Sequence, residues 1–275
     1  MQLEITQPFF EHCVPAFQTS DDQIFTRLQS YFDDTMIQLE ILIGSTADAI
    51  FAEYPVLENL AKKYVCTHAS RVAIPQLDLV LTQTGFGIVS TSNVAPASRD
   101  RVQALTEQLR KSESLTYDSL FSNLIALTAW KETRQCAEMV HSLLWNATIV
   151  RNAGVTLQGD KIFQDEFLQL QPMIYNAENA LTDICGCDMY RKLVKSLRQP
   201  CDRLPDNYLQ VKFYCEQFLV AYITENAAVE SIGKKLAAYL EEFADEFPEY
   251  KNSSIYKANH VERYENTKES KCHFW

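Results

Sequence analysis

Eight cysteines and five histidines supply the residue types for thiol chemistry, metal binding or proton transfer, so their spacing is the first question. Cys13, Cys66, Cys136, Cys185, Cys187, Cys201, Cys215 and Cys272 are spread widely, and only Cys185-Gly-Cys187 forms a tight pair. A zinc site needs paired C-x-x-C or H-x-x-x-H spacings, because two ligands must converge from one turn or one helical face. Neither spacing occurs, and His12, His141, His260 and His273 are dispersed with no second ligand at i+4. His68 falls on an apolar helical face, where a hydrogen-bonded core histidine is the expectation. Neither a metal nor a cofactor is predicted.

Nucleophiles and acid–base pairs fare no better. There is no Gly-x-Ser-x-Gly elbow and no Cys–His pair in a recognisable context. The adjacent carboxylates Asp33-Asp34, Glu241-Glu242 and Asp245-Glu246 sit on faces that read as solvated. The stretch "LDLVLTQTGFGIVSTSNVAPASRDRVQAL", Leu77 to Leu105, brings glycines between a β-like run and a helix start. A dinucleotide loop would want a third glycine at Ser90 and a helix beginning at once. Here the next helix starts about ten residues later, and no Gly-Lys-Ser/Thr follows, so a P-loop is excluded too. The bland reading is a hairpin turn, "TQTGFG", with Gly85 and Gly87 supplying positive φ. On these residues the chain is predicted not to be an enzyme.

The elements that must position all this are helical. With 275 residues the chain can bury roughly three-quarters of its unfolded surface. It holds only 7 glycines, where average usage would give about 19, so turns are few and elements long. That argues against Rossmann and barrel folds. The formal net charge of −11 repels phosphate backbones, and no Lys/Arg run exceeds two residues, so specific nucleic-acid binding is not expected. The start of the chain, "MQLEITQPFF", has no basic and apolar leader, and no apolar run reaches membrane-spanning length. The reading is a soluble cytoplasmic product with reduced thiols and no membrane contact.

Along the chain, Ser20 with Gln23 reads as a capping box for a helix ending at Gly44. A short helix around Thr46 to Glu53 follows. The next begins at Pro55 and presents Leu57, Leu60, Tyr64, Val65, His68 and Val72, with Pro75 as its end. Leu77, Leu79 and Leu81 alternate as a strand, and Ile88 and Val89 follow the glycines. Ser98 caps another helix, and further helices are predicted from about Leu115 to Trp130 and Thr133 to Trp145. "ATIVRNAGVTL", Ala147 to Leu157, reads as a weak β-like patch and as the boundary between halves.

The second half repeats the rhythm of the first. "QIFTRLQSYFDDTMIQLEILIG" ends at Gly44 and "KIFQDEFLQLQPMIYNAENALTDICG" at Gly186; each precedes a short helix, a proline (Pro55, Pro205) and a long apolar helix. This is a pattern of lengths, not of identity. The second long helix, "NYLQVKFYCEQFLVAYI", is apolar nearly all round and should be central, followed by a stripe from Val229 to Phe247. The predicted fold is mainly α: a helical bundle of two similar halves with a β-hairpin insertion near residues 77–90. The domains are 1–150, 151–250 and a tail, 251–275. Phe274 and Trp275, ending a polar tail, should dock either on the chain's own core or on a neighbouring subunit, because leaving them exposed wastes apolar area worth a few kcal/mol.

The Leu77–Leu105 block, with its "DLVLT…GFGIVS…NVAPAS" signature, resembles an uncharacterised family found in tailed phages and prophages of gut Bacteroidetes. Its members share the length, the helical character and the aromatic end. By analogy the arrangement also resembles the head–tail connector (adaptor) proteins of siphophages. The resemblance implies a virion structural protein that assembles through contacts with itself, as a ring, and with portal or tail proteins. It would be cytoplasmic in the bacterial host before it enters the virion. It brings no catalytic residues. The segments expected to reach neighbours carry Leu79, Leu81, Phe86 and Ile88, and Phe274 and Trp275. The rival readings are a non-catalytic helical regulatory or binding module and a small helical enzyme.

Overall fold

The structure is a computed structural model, and it describes residues 3–18, 22–77, 79–82, 85–88, 98–153, 162–199 and 204–261. The chain is mainly α. The first elements are α1 (Gln7–Cys13), a 3-10 turn (Pro15–Phe17), α2 (Asp22–Ile43), α3 (Ala47–Glu53) and α4 (Pro55–Leu77). Two short strands follow, β1 (Leu79–Thr82) and β2 (Gly85–Ile88). Next come α5 (Arg99–Leu124), α6 (Thr128–Lys131), α7 (Arg134–Met139) and α8 (Ala147–Asn152). The last elements are α9 (Gln164–Gln169), α10 (Gln171–Cys185), α11 (Cys187–Arg198), α12 (Asp206–Ile223), α13 (Val229–Glu242), α14 (Pro248–Lys251) and α15 (Ser254–Asn259).

Two apolar cores form, divided near Val140–Leu143. One gathers buried residues from Leu3 to Val140 and is built mainly by α2, α4 and α5. The other gathers residues from Leu143 to Tyr250, with α10 and α12 against α13. The helix α12 holds eight buried residues, yet Leu209, Phe213 and Tyr222 keep part of their surface in solvent. It is central on one side and not on all.

Local chemistry explains the turns. α2 stops at Gly44, whose φ of 92° is open to glycine and strained for other residues. The turn is pinned from outside: a Cβ there would meet the Gln135 side chain at 2.7 Å. Trp130, fully buried, donates its indole N–H to the Ile43 carbonyl at 3.1 Å and so satisfies one of the carbonyls orphaned at the end of α2. Gly186, φ 84°, separates α10 from α11 in the same manner.

Several expectations from the sequence need correction. Pro75 does not end α4, which runs on to Leu77. A proline this close to a helix end forfeits one backbone bond but leaves few residues beyond it to disrupt. Leu77 is therefore helical, and the strand pairing starts at Leu79, opposite Ile88, and closes with Thr82 opposite Gly85. Gly85 and Gly87 lie within β2, opposite Thr82 and Val80, rather than in the turn. Residues 83–84, where the chain reverses, fall outside the described set, as do Ser20 and the side chain of Gln23.

No break occurs near Leu115: α5 is one helix of 26 residues. Polar residues in its middle, which read as a gap in periodicity, are buried by ion pairing. The region predicted helical to Trp145 instead folds as the short α6 and α7 and an irregular stretch. Ala147–Asn152 is helical and not β-like, because Asn146 caps it, its Oδ1 accepting from the Ile149 N–H at 3.0 Å. The segment read as a polar tail, 251–275, is helical at its start: α15 forms there, with Tyr256 packed against the second core, before the described residues end at Val261.

Candidate functional site: a polar seam and two clefts

The middle of α5 carries charged residues that face other elements instead of water. Glu113 is buried and accepts from Arg71 on α4, at 2.5 and 3.1 Å, while His68 Nδ1 lies 2.8 Å away. Burial alone would raise the Glu113 carboxyl, but the hydrogen bonds from His68 and Arg71 outweigh it and hold the group below the usual carboxylate range. One and a half turns on, Asp118 accepts from Arg151 at 2.6 Å and from the Thr148 hydroxyl at 2.9 Å, both from α8. Here burial wins, and the carboxyl is pushed up despite these partners.

The same helix fixes α9 and the residues before it. Arg110 reaches Glu166 at 2.5 Å, and the Ser114 hydroxyl accepts from the Gln164 N–H at 2.8 Å. Arg151 donates to the Ile162 carbonyl at 2.9 Å. The Arg110 and Arg151 guanidinium groups each lie 5.4 Å from the centre of the Phe163 ring, so both interact with its π face. This seam joins elements of the two cores through polar contacts. Glu113 and Asp118 each take partners from another helix, while the buried Oδ1 of Asp118 has no hydrogen-bond partner among the described residues.

Beside the seam an apolar groove of about 340 Å³ opens between α2, α7 and α9. Ile41, Leu42, Trp145, Phe167 and Leu168 form its walls. Two of them are unusually open for such residues: Ile41 is 69% exposed and Leu168 58%. Ile37, one turn before Ile41 on α2, is 58% exposed and extends the apolar surface. Gln135, Glu138, His141, Gln164 and Gln171 give it a polar rim. A second cleft, between α6–α7 and α11, shares His141 with the groove but is lined by cations.

Of the residues singled out from the sequence, His141 lines both clefts. Leu79 and Leu81 lie in β1 and Phe86 and Ile88 in β2, paired as Leu79 with Ile88 and Leu81 with Phe86; their side chains lie outside the described set. Phe274 and Trp275 lie outside the described residues altogether. His68 is hydrogen-bonded with Glu113, and His141 bonds the Glu138 carbonyl through Nδ1 at 2.9 Å. Cys187 is exposed, Cys185 buried. Among the described residues no group of three or more His, Cys, Asp or Glu could hold a metal ion, and no single helix is long and apolar enough to cross a membrane.

Glu113 and Asp118 escape a reading of the sequence, since two charges five residues apart on a helix look like solvated surface. The available signal is on α4, where His68 and Arg71 stand on a largely apolar helix and require a counter-charge. The open residues Ile37, Ile41 and Leu168 are equally hard to single out, because each falls within an apolar run of ordinary core spacing.

Residues 25–139, from within α2 to the end of α7, match a family of unknown function (DUF6712). The matched stretch falls within the span from Leu3 to Val140 that supplies the buried residues of the first core. No curated protein and no solved structure matches the chain.

Proposed function

We propose that this chain is a structural subunit that works by shape and surface contact, a head–tail connector or adaptor of a tailed phage or prophage. The observation that carries the assembly reading is the groove edged by Ile41 and Leu168. Large aliphatic side chains left this open beside a concave apolar surface mark a contact site more often than scattered exposed residues do. The occupant assigned to it is an apolar segment of a neighbouring copy, either the β1–β2 hairpin with Leu79, Leu81, Phe86 and Ile88 or the end carrying Phe274 and Trp275. Such a head-to-tail contact is heterologous, and repeated around an axis it closes a ring. The phage reading rests on the likeness of the Leu77–Leu105 block to the prophage family, and the acidic net charge suits a conduit through which DNA slides without sticking.

The test is electron microscopy of the chain mixed with the portal protein encoded at the same locus. Rings of the chain seated on portal particles support the proposal. A portal that stays bare at high chain concentration overturns it.

A further inference from the structure

The cleft between α6–α7 and α11, about 620 Å³, is built against the grain of the composition. Lys131, Arg191, Lys195 and Arg198 line it, and among the described residues Glu132 is the one carboxylate on its wall. In a chain of net charge −11, four converging cations are a local inversion of sign. Arg191, Lys195 and Arg198 follow the i, i+4, i+7 spacing that sets them along one face of α11, a stripe about 10 Å long.

Two of these cations, Lys131 and Arg198, are held by backbone carbonyls that do not neutralise them. Lys131 donates from Nζ to the Gln199 carbonyl at 3.0 Å, and Arg198 from Nη1 to the Ala137 carbonyl at 3.4 Å. A carbonyl fixes a cation in place and leaves its charge uncompensated, whereas a carboxylate would cancel it. The buried Nε of Arg198 has no hydrogen-bond partner among the described residues. Arg191, exposed, pairs with its neighbour Asp188 at 3.1 Å, an open contact that solvent weakens. Between the cations the wall is apolar or aromatic, from Ala137, Tyr190 and Val194.

We infer that this cleft is a docking site for an acidic peptide segment of a partner protein, carboxylates along the α11 stripe and apolar side chains against Ala137 and Val194. The mixed wall favours this occupant over nucleic acid. A phosphate backbone bears charge at every nucleotide and would overrun a stripe about 10 Å long, while a peptide can confine its carboxylates to it. Neither the apolar groove nor the connector reading is needed for this assignment.

Fluorescence anisotropy of the full chain tests it. The probe is a short labelled helical peptide with glutamates at i, i+4 and i+7, compared with its glutamine counterpart and with a single-stranded oligonucleotide of equal charge. The glutamate peptide should bind in a salt-dependent manner, and the glutamine peptide should not. The exposed pair R191E/K195E should weaken binding roughly tenfold or more, while K235E on α13, outside the cleft, leaves it unchanged. A glutamate peptide that fails to bind, affinity unmoved by the charge reversals, or an oligonucleotide bound more tightly through the same residues, would overturn the assignment.

Discussion

Arg71 closes a two-pronged ion pair on Glu113, with Nε 2.5 Å from one carboxylate oxygen and Nη2 3.1 Å from the other. It ties α4 to α5, the most extensive helix pairing among the described residues. His68 completes the arrangement from one turn earlier. Replacing Glu113 by Gln leaves a guanidinium largely out of water, with the more open Asp165, 3.8 Å from Arg71 Nη1, as its remaining counter-charge. The expected loss is about 2–3 kcal/mol, less than for a fully buried pair because Arg71 retains some solvent contact. Urea denaturation of the two proteins reads it directly.

The same pair sets an acid limit. The folded-state pKa of Glu113 is lowered, so its contribution is complete above the ordinary carboxylate range and is lost as pH falls through the lowered value. Wild type and Glu113→Gln should therefore differ most near neutrality and converge as the pH drops below that range. Asp118 acts in the opposite sense: its carboxyl is raised, so protonation in the folded state partly offsets the acid loss. Thermal melts of wild type, Glu113→Gln and Asp118→Asn across the acid range separate the two effects.

Trp130 stitches α6 to the end of α2 through its bond to the Ile43 carbonyl. Trp130→Phe keeps most of the ring but removes the donor, for an expected cost of about 1–2 kcal/mol including the small void. Trp130→Ala adds a large cavity and should cost about 3–5 kcal/mol. If the two variants were equally stable, the indole would not be packed as described.

Among the described residues, burial and hydrogen bonding should divide the thiols in reactivity. Cys13, at the end of α1, is half-buried; its thiol is pushed down by a hydrogen bond from Cys66, with Lys63 adding to the effect against the opposing pull of burial. Cys66 is correspondingly pushed up, first by that shared bond and then by burial. Titration with a maleimide, mapped by peptide mass spectrometry, should label Cys13 and the exposed Cys187 early. Cys66, Cys136, Cys185 and Cys215 should stay unmodified until the chain unfolds.

The helical character was legible because it rests on periodicity and on a scarcity of glycine, both local properties. Gly44, Gly186 and Pro55 were readable for the same reason, each acting through its own backbone. The unity of α5 was not, since Glu113 and Asp118 break an apolar pattern that only Arg71, His68 and Arg151, distant in sequence, make tolerable. Asn146 hid in a β-branched stretch whose propensity its cap overrides. The groove and the basic cleft were invisible for a different reason. Each is assembled from elements far apart in the chain, and the stripe on α11 reads alone as an ordinary solvated helix face.

Assembly through the apolar groove stands or falls with Ile41 and Leu168 at its edge. Sedimentation velocity of the chain mixed with its portal protein, compared with the double variant I41D/L168D, probes that edge without intermediaries. Both side chains are open enough that the variant should keep its helical signal and melting behaviour. The wild-type chain should travel with the portal boundary, and the variant should sediment alone as a slow monomer. A variant that travels with the portal as fully as the wild type, or a wild-type chain that never leaves the monomer boundary, would refute assembly through this groove.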